Sequence, residues 1–201
     1  MYGCGGYGPG FHGTPWKSIY SDTYSKKDTL MMPAWFYGFH EHKFKYRYVD
    51  MDLPPDSVFQ YFRSAIRHIP FVSQTDTVRY IQIEQKDYSP KQFYDDERLS
   101  VFLREHDIIP DTGKIVVPVL IYNYSAIWSN YGILHGGTTF TTTLNLWLLV
   151  FDEGNLVYRQ YARFVDQQNH HEPEVYNFQL EQHHWDSLVQ MGFKEYISRM
   201  K

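Results

Sequence analysis

Cysteine is nearly absent: one residue in 201 excludes a disulfide within the chain and a multi-cysteine zinc site. Long apolar runs are missing too. The longest candidate, Leu144 to Phe151, is interrupted by Asn145 and is far too short to cross a bilayer as a helix. No basic start followed by an apolar run marks a secretory signal. Excess positive charge is lacking. Lys and Arg number 19 against 23 Asp and Glu, for a formal net charge of −4, so no field favours nucleic-acid phosphate. Catalytic signatures are equally scarce, with no Gly-x-Ser-x-Gly elbow and no His-Glu-x-x-His. At 43% hydrophobic and 21% charged, the bulk of the chain reads as one globular domain, long enough to bury a core without covalent staples.

Aromatic residues are abundant: 18 Tyr, 14 Phe and 5 Trp, or 18% of the chain. Tyr and Trp suit surfaces with one dry and one wet side, so the composition suggests a contact-making protein. Residues 1–38 concentrate Gly, Pro, Tyr, Trp and Phe without a helical or strand period. Gly3, Gly5, Gly6, Gly8, Gly10 and Gly13 favour loop, and Pro9, Pro15 and Pro33 interrupt ladders. The expectation is an extended amino-terminal arm over 1–38, followed by a single domain over 39–201. So much aromatic area needs a surface to lie on. Phe11, Trp16, Ile19 and Tyr20 are therefore the candidate partner-binding residues.

From Phe39 onward periodicity takes over. Phe44, Tyr46 and Tyr48 alternate with Lys43, Lys45 and Arg47, predicting a half-buried strand. That alternation sends the cations to the face opposite the aromatics, which argues against a nucleic-acid stacking platform. Pro54-Pro55 start a helix whose face is Val58, Phe59, Phe62, Ala65, Ile66 and Ile69, ending before Pro70. Phe71-Val72 and Val78 to Ile83 read as short strands. Ser89-Pro90 opens a helical region, with Asp95, Asp96 and Glu97 in a first turn and Leu99, Phe102 and Leu103 on its apolar face. Ile115 to Tyr124 is a strand that Pro118 assigns to an edge or a bulge. Thr138 to Phe151, the turn Asp152-Glu153-Gly154-Asn155 and the return to Phe164 form a hairpin. His170 to Glu174 is a polar loop. Trp185, Leu188, Val189, Phe193, Tyr196, Ile197 and Met200 form a closing amphipathic helix. The predicted fold class is α+β: a mixed, mostly antiparallel sheet with helices packed on one face, plus the extended arm.

This order resembles the amino-terminal domain of TolB and the related core of curli-secretion-channel lipoproteins. The stretches that carry the resemblance are Pro55 to Phe71, Asp95 to His106, Lys114 to Tyr124, and Thr142 to Asp152 continuing through Gly154 to Tyr158. Together they lie within residues 44–165. The segment Ser125 to Gly137, rich in Tyr, Gly and Asn, departs from the tight link of that pattern. The resemblance implies a periplasmic, outer-membrane-associated docking module in a cell-envelope assembly, forming homo- or hetero-oligomers with envelope proteins. From the residues themselves the expectation is no cofactor and, on charge, no nucleic-acid partner. Cys4, after a small residue and before Gly5-Gly6, matches the cleavage site of a bacterial lipoprotein, so its lipid would be the only membrane attachment.

Other chemistries are weaker on their spacing. Gly3 to Gly8 fits a dinucleotide glycine motif, but Pro9 follows where a helix must begin. His40 and His42 share one face of a strand and are the candidate ligands of a metal-dependent hydrolase. His170-His171, His183-His184, Glu172 and Glu174 are possible further ligands. The expectation is nevertheless no metal and no catalysis. A virion or phage structural protein, braced by the aromatic arm, is a third reading. Asn123-Tyr124-Ser125 matches a glycosylation sequon without supporting context.

Overall fold

The computed structural model describes residues 10–12, 28–43, 55–108, 113–130, 136–170 and 182–199. Six strands form one mixed sheet: β1 (Gly10–His12), β2 (Leu30–Lys43), β3 (Val72–Gln82), β4 (Lys114–Asn130), β5 (Gly136–Asp152) and β6 (Asn155–His170). Three helices accompany them: α1 (Pro55–Arg67), α2 (Asp96–Glu105) and α3 (Gln182–Arg199). The sheet order is β1-β6-β5-β4-β2-β3. β3 and β4 both run parallel to β2, whereas β4, β5, β6 and β1 are joined by antiparallel ladders. The α+β class and the predominance of antiparallel pairing follow from this pattern.

The helices do not share one face. α1 and α3 bury Phe62, Ala65, Ile66, Trp185, Leu188, Val189, Phe193 and Tyr196 against Leu144, Leu146, Leu148 and Val150 of β5. α2 buries Leu99, Phe102 and Leu103 in a second cluster with Phe36, Val117, Val119, Trp147, Leu149 and Phe151. Connectivity supplies a reason for this correction. The β2-α1-β3 crossover steps outward by one strand, and β3-α2-β4 steps back the other way across β2. Parallel crossovers share one hand, so two that travel in opposite directions place their helices on opposite faces. β5 requires the same outcome, because both of its alternating rows are apolar.

The boundary drawn at residue 38 is also corrected. Residues 30–38, expected in the arm, belong to the sheet, and Leu30, Ala34 and Phe36 are completely buried. The ladder to β3 shifts register between Met32 and Ala34, at Pro33, which has no N–H to offer. The shift reverses the alternation. Leu30, Met32 and Trp35 enter the α1–α3 cluster, while Ala34 and Phe36 enter the α2 cluster. Pro118 lies within β4, which is an interior strand and not an edge. The β2–β4 ladder is irregular between Met31 and Phe36, where five residue steps on β2 face four on β4 from Ile115 to Val119, so the extra residue lies on β2 while Pro118 pairs with Leu148 in an unbroken ladder to β5.

β3 is one continuous strand where two short ones were expected. The expected strand at Phe44 to Tyr48 and the loop after His170 lie outside the described residues. Of the segment Ser125 to Gly137, residues 131–135 lie outside the described residues. Ser125 to Asn130 and Gly136-Gly137 lengthen β4 and β5, with Ser125 opposite Thr141 and Asn130 opposite Gly136. The turn after β5 is a two-residue loop with φ of 46° at Glu153 and 83° at Gly154. Positive φ at both positions matches the right-handed twist of the flanking strands. On α3, Ile197 is 45% exposed and so falls outside the buried face assigned to it, one residue past Tyr196.

α3 approaches β5 closely at Gly192. A Cβ there would lie 2.6 Å from Leu148 Cδ1. The Tyr158 hydroxyl donates a buried 2.7 Å hydrogen bond to the Gly192 carbonyl, holding the helix at this distance. Gly192→Val should therefore lower the thermal midpoint, whereas Gly→Ala on an exposed helical site would raise it. Leu146→Ala should cost about 2–5 kcal/mol in denaturant unfolding, because the side chain is completely buried between α3 and the sheet. A neutral result at Leu146 would mean that the register of β5 is wrong.

Candidate functional site

The sequence candidates are dispersed. Phe11 lies in β1, opposite Phe164, with Gly10 opposite Val165 and His12 opposite Arg163. The arm thus contributes a three-residue strand to the edge of its own sheet at β6. Cys4, Trp16, Ile19 and Tyr20 lie outside the described residues. The arm is next recorded at Asp28, which bonds to the Lys114 ammonium, itself 3.6 Å from Asp152 Oδ2. Burial works against the Lys114 charge, but the bond to Asp28 and the charges of Asp152 and Asp28 outweigh it and raise its pKa.

His40 is 3% exposed, with its ring centroid 4.7 Å from that of Tyr88. It sits in an aromatic layer under α2. Trp147 is surrounded by Phe93 at 5.1 Å, Tyr161 at 4.8 Å and Tyr88 at 6.1 Å. The Tyr161 hydroxyl donates to Asn145 Oδ1. His42 lies on β2, but its side chain is outside the described residues. His183 and His184 stack on each other at 3.8 Å near the start of α3, with Phe164 5.2 Å from His184. Among the described residues no three His, Cys, Asp or Glu side chains gather as a metal site.

The acidic run at 95–97 is a helix start. Asp96 and Glu97 lie in the first turn of α2 as expected, while Asp95, expected with them, is the cap that precedes it and accepts from the Arg98 N–H at 3.0 Å. Asp96 pairs with Arg159, whose other nitrogen donates to the Tyr94 carbonyl at 2.8 Å. Arg159 therefore ties the first turn of α2 to β6.

A feature not read from the sequence is an open groove of about 910 Å³ between the end of β3, the turns that follow it and α2. Glu97, Val101 and Glu105 form one stripe along α2 at four-residue spacing, and all three line the groove. Val101 is 49% exposed. Across from it, Glu84 pairs with Lys86 at 3.0 Å, and Arg98 leans on Asp95 at 4.0 Å. Asp87, Glu97 and Glu105 have no cation partner within salt-bridge distance among the described residues. The groove is therefore net acidic, with an apolar step in its wall. A four-residue stripe on a short helix could have been noticed in the sequence. Its apposition to β3 could not.

No protein-family model and no curated protein matches the sequence. Among solved structures, a PelC variant dodecamer from Paraburkholderia phytofirmans aligns over 92% of this chain and 95% of that one, at 9% identity and a TM-score of 0.29. A neuraminyllactose-binding hemagglutinin homolog from Helicobacter pylori aligns over 90% of this chain and 85% of that one, at 10% identity and a TM-score of 0.28. Superposition this loose carries no argument about function.

The half-buried tyrosines of this layer and Lys114 set an alkaline limit. Burial pushes the Tyr88 hydroxyl well above its ordinary pKa and Tyr161 up to about 12, with Arg163 partly offsetting the latter. All three groups hold their protons more tightly folded than unfolded. Their contributions are complete below pH of about 10 and are lost as pH rises toward the folded values. Stability should fall above pH of about 10, with the late part of the tyrosinate absorbance appearing only with unfolding. Ionisation of all tyrosines without loss of structure would contradict the burial of this layer.

Proposed function

We propose that this chain is a non-enzymatic docking subunit of a bacterial cell-envelope assembly, at the periplasmic side of the outer membrane. In this reading its amino-terminal arm makes the protein–protein contact. The observation that carries the proposal is the use made of the arm: at Gly10–His12 it is already a strand added to a sheet edge. Sheet edges are templates for a further chain, since they present backbone N–H and C=O groups in register. The aromatic side chains of the arm, Trp16 and Tyr20 among them, provide large contact area with few rotamers to freeze. The resemblance to TolB and the curli lipoproteins supports the envelope setting.

Three polar side chains inside the domain have structural uses. Arg159 anchors α2, Tyr161 bonds Asn145 and Tyr158 bonds the α3 backbone. The hydrolase reading draws no support from His40, whose burial in an aromatic layer leaves little room for a substrate. After chelation and dialysis, metal analysis should find no stoichiometric ion. A retained metal lost on His40→Ala would promote the hydrolase over the docking subunit.

The decisive experiment removes the arm but spares Asp28, which is tied to Lys114. Deletion of residues 1–26 should leave a cooperatively folding domain that no longer enters its assembly, as read by sedimentation velocity and co-purification. Early melting with intact assembly would make the arm part of the core instead.

A further inference from the structure

We infer that the acidic groove beside α2 receives the segment 13–27 of a second copy of this chain. This rests on the reading of the arm as an assembly element and names the surface it meets. The first argument is charge. Segment 13–27 carries Lys17, Lys26 and Lys27 against Asp22 alone, interleaved with Trp16, Ile19, Tyr20 and Tyr24. The groove offers Glu97 and Glu105 with no cation within salt-bridge distance among the described residues, with exposed Val101 between them and Asp87 sharing the charge of Lys86 with Glu84. A cationic, aromatic segment complements both properties, and opposite charge across a contact favours encounter and register.

The second argument is reach. Segment 13–27 is held at one end by His12 on β6 and at the other by Asp28 on Lys114. The groove lies at the far edge of the sheet, beside the end of β3, where Gln82 pairs with Tyr37. Crossing from β1 to β3 takes about 24 Å at the usual strand spacing. Returning along β2 from the level of Tyr37 to Asp28 takes about 30 Å. Fully extended, the chain from His12 to Asp28 spans about 54 Å, so visiting its own groove leaves no slack to pass around α2. The groove of a neighbouring copy carries no such constraint.

The test uses the full chain. Sedimentation velocity should show self-association that weakens with added salt. Glu97→Gln combined with Glu105→Gln should weaken it about tenfold, whereas the charge-matched control Glu153→Gln with Glu195→Gln should not. A labelled synthetic peptide of residues 13–27 should bind the parent chain, compete with self-association and fail to bind the Glu97/Glu105 variant. A monomeric parent chain, or self-association indifferent to the two substitutions, overturns the inference, as does peptide binding that survives them. The two readings fail separately. If deletion of residues 1–26 dissociates the assembly while the glutamine variant assembles normally, the groove is the wrong receptor and the arm remains the docking element. If the deletion leaves assembly intact, the arm reading itself falls.

Discussion

The structure depends on a single constraint in β5: both of its rows are apolar. Leu144, Leu146, Leu148 and Val150 face one way, and Trp147, Leu149 and Phe151 face the other, all 5% exposed or less. A strand with two apolar faces must lie inside a sheet that is covered on both sides. That accounts for its central position beside β4 and for the division of the helices. It also explains why α2, a short helix with only Leu99, Phe102 and Leu103 fully committed, is anchored by Asp95 at its cap and by Arg159 from β6. The aromatic layer of Trp147, Phe93 and Tyr161 fills the space between a short helix and a wide sheet.

Covering both faces leaves the sheet edges as the surfaces with unspent hydrogen-bonding capacity. At one edge, β1 occupies three positions of β6. At the other, β3 ends in the acidic groove. The proposed docking role and the proposed seat for segment 13–27 both follow from this division. A sheet buried on its faces interacts through its rims, by backbone pairing and by charge placed at the ends of its strands. In the described interior, Tyr158, Arg159 and Tyr161 spend their hydrogen bonds on tertiary anchoring.

Much of the architecture was legible. α1 runs from a proline start at Pro55 to Arg67, ending before Pro70 as expected, and Phe62, Ala65 and Ile66 are buried as their spacing implied. The hairpin turn was marked by Glu153-Gly154, and the first turn of α2 by Asp96 and Glu97. The candidate site was less legible. Of the arm residues singled out, Phe11 is recorded as a paired strand residue, and the groove was not legible because its walls, all within residues 82–106, face each other only once the turns after β3 fold α2 back beside the strand end. β2 was missed over residues 30–38 because Pro33 breaks the apolar stretch and reverses its alternation, so no period of two is visible there and the Gly, Pro and aromatic residues read like the arm before them.

Local signals determined what local physics controls: helix limits through proline and capping, turn type through positive φ, and the apolar rows of β5 through alternation. The tertiary structure decided which face each helix covers, that β4 is interior despite Pro118, and that residues 30–38 are core and not arm. Those outcomes depend on crossover direction, on ladder register and on strands distant in the chain. A strand's neighbours and the hand of its connections leave no periodic trace in its own residues, so only the assembled sheet settles them.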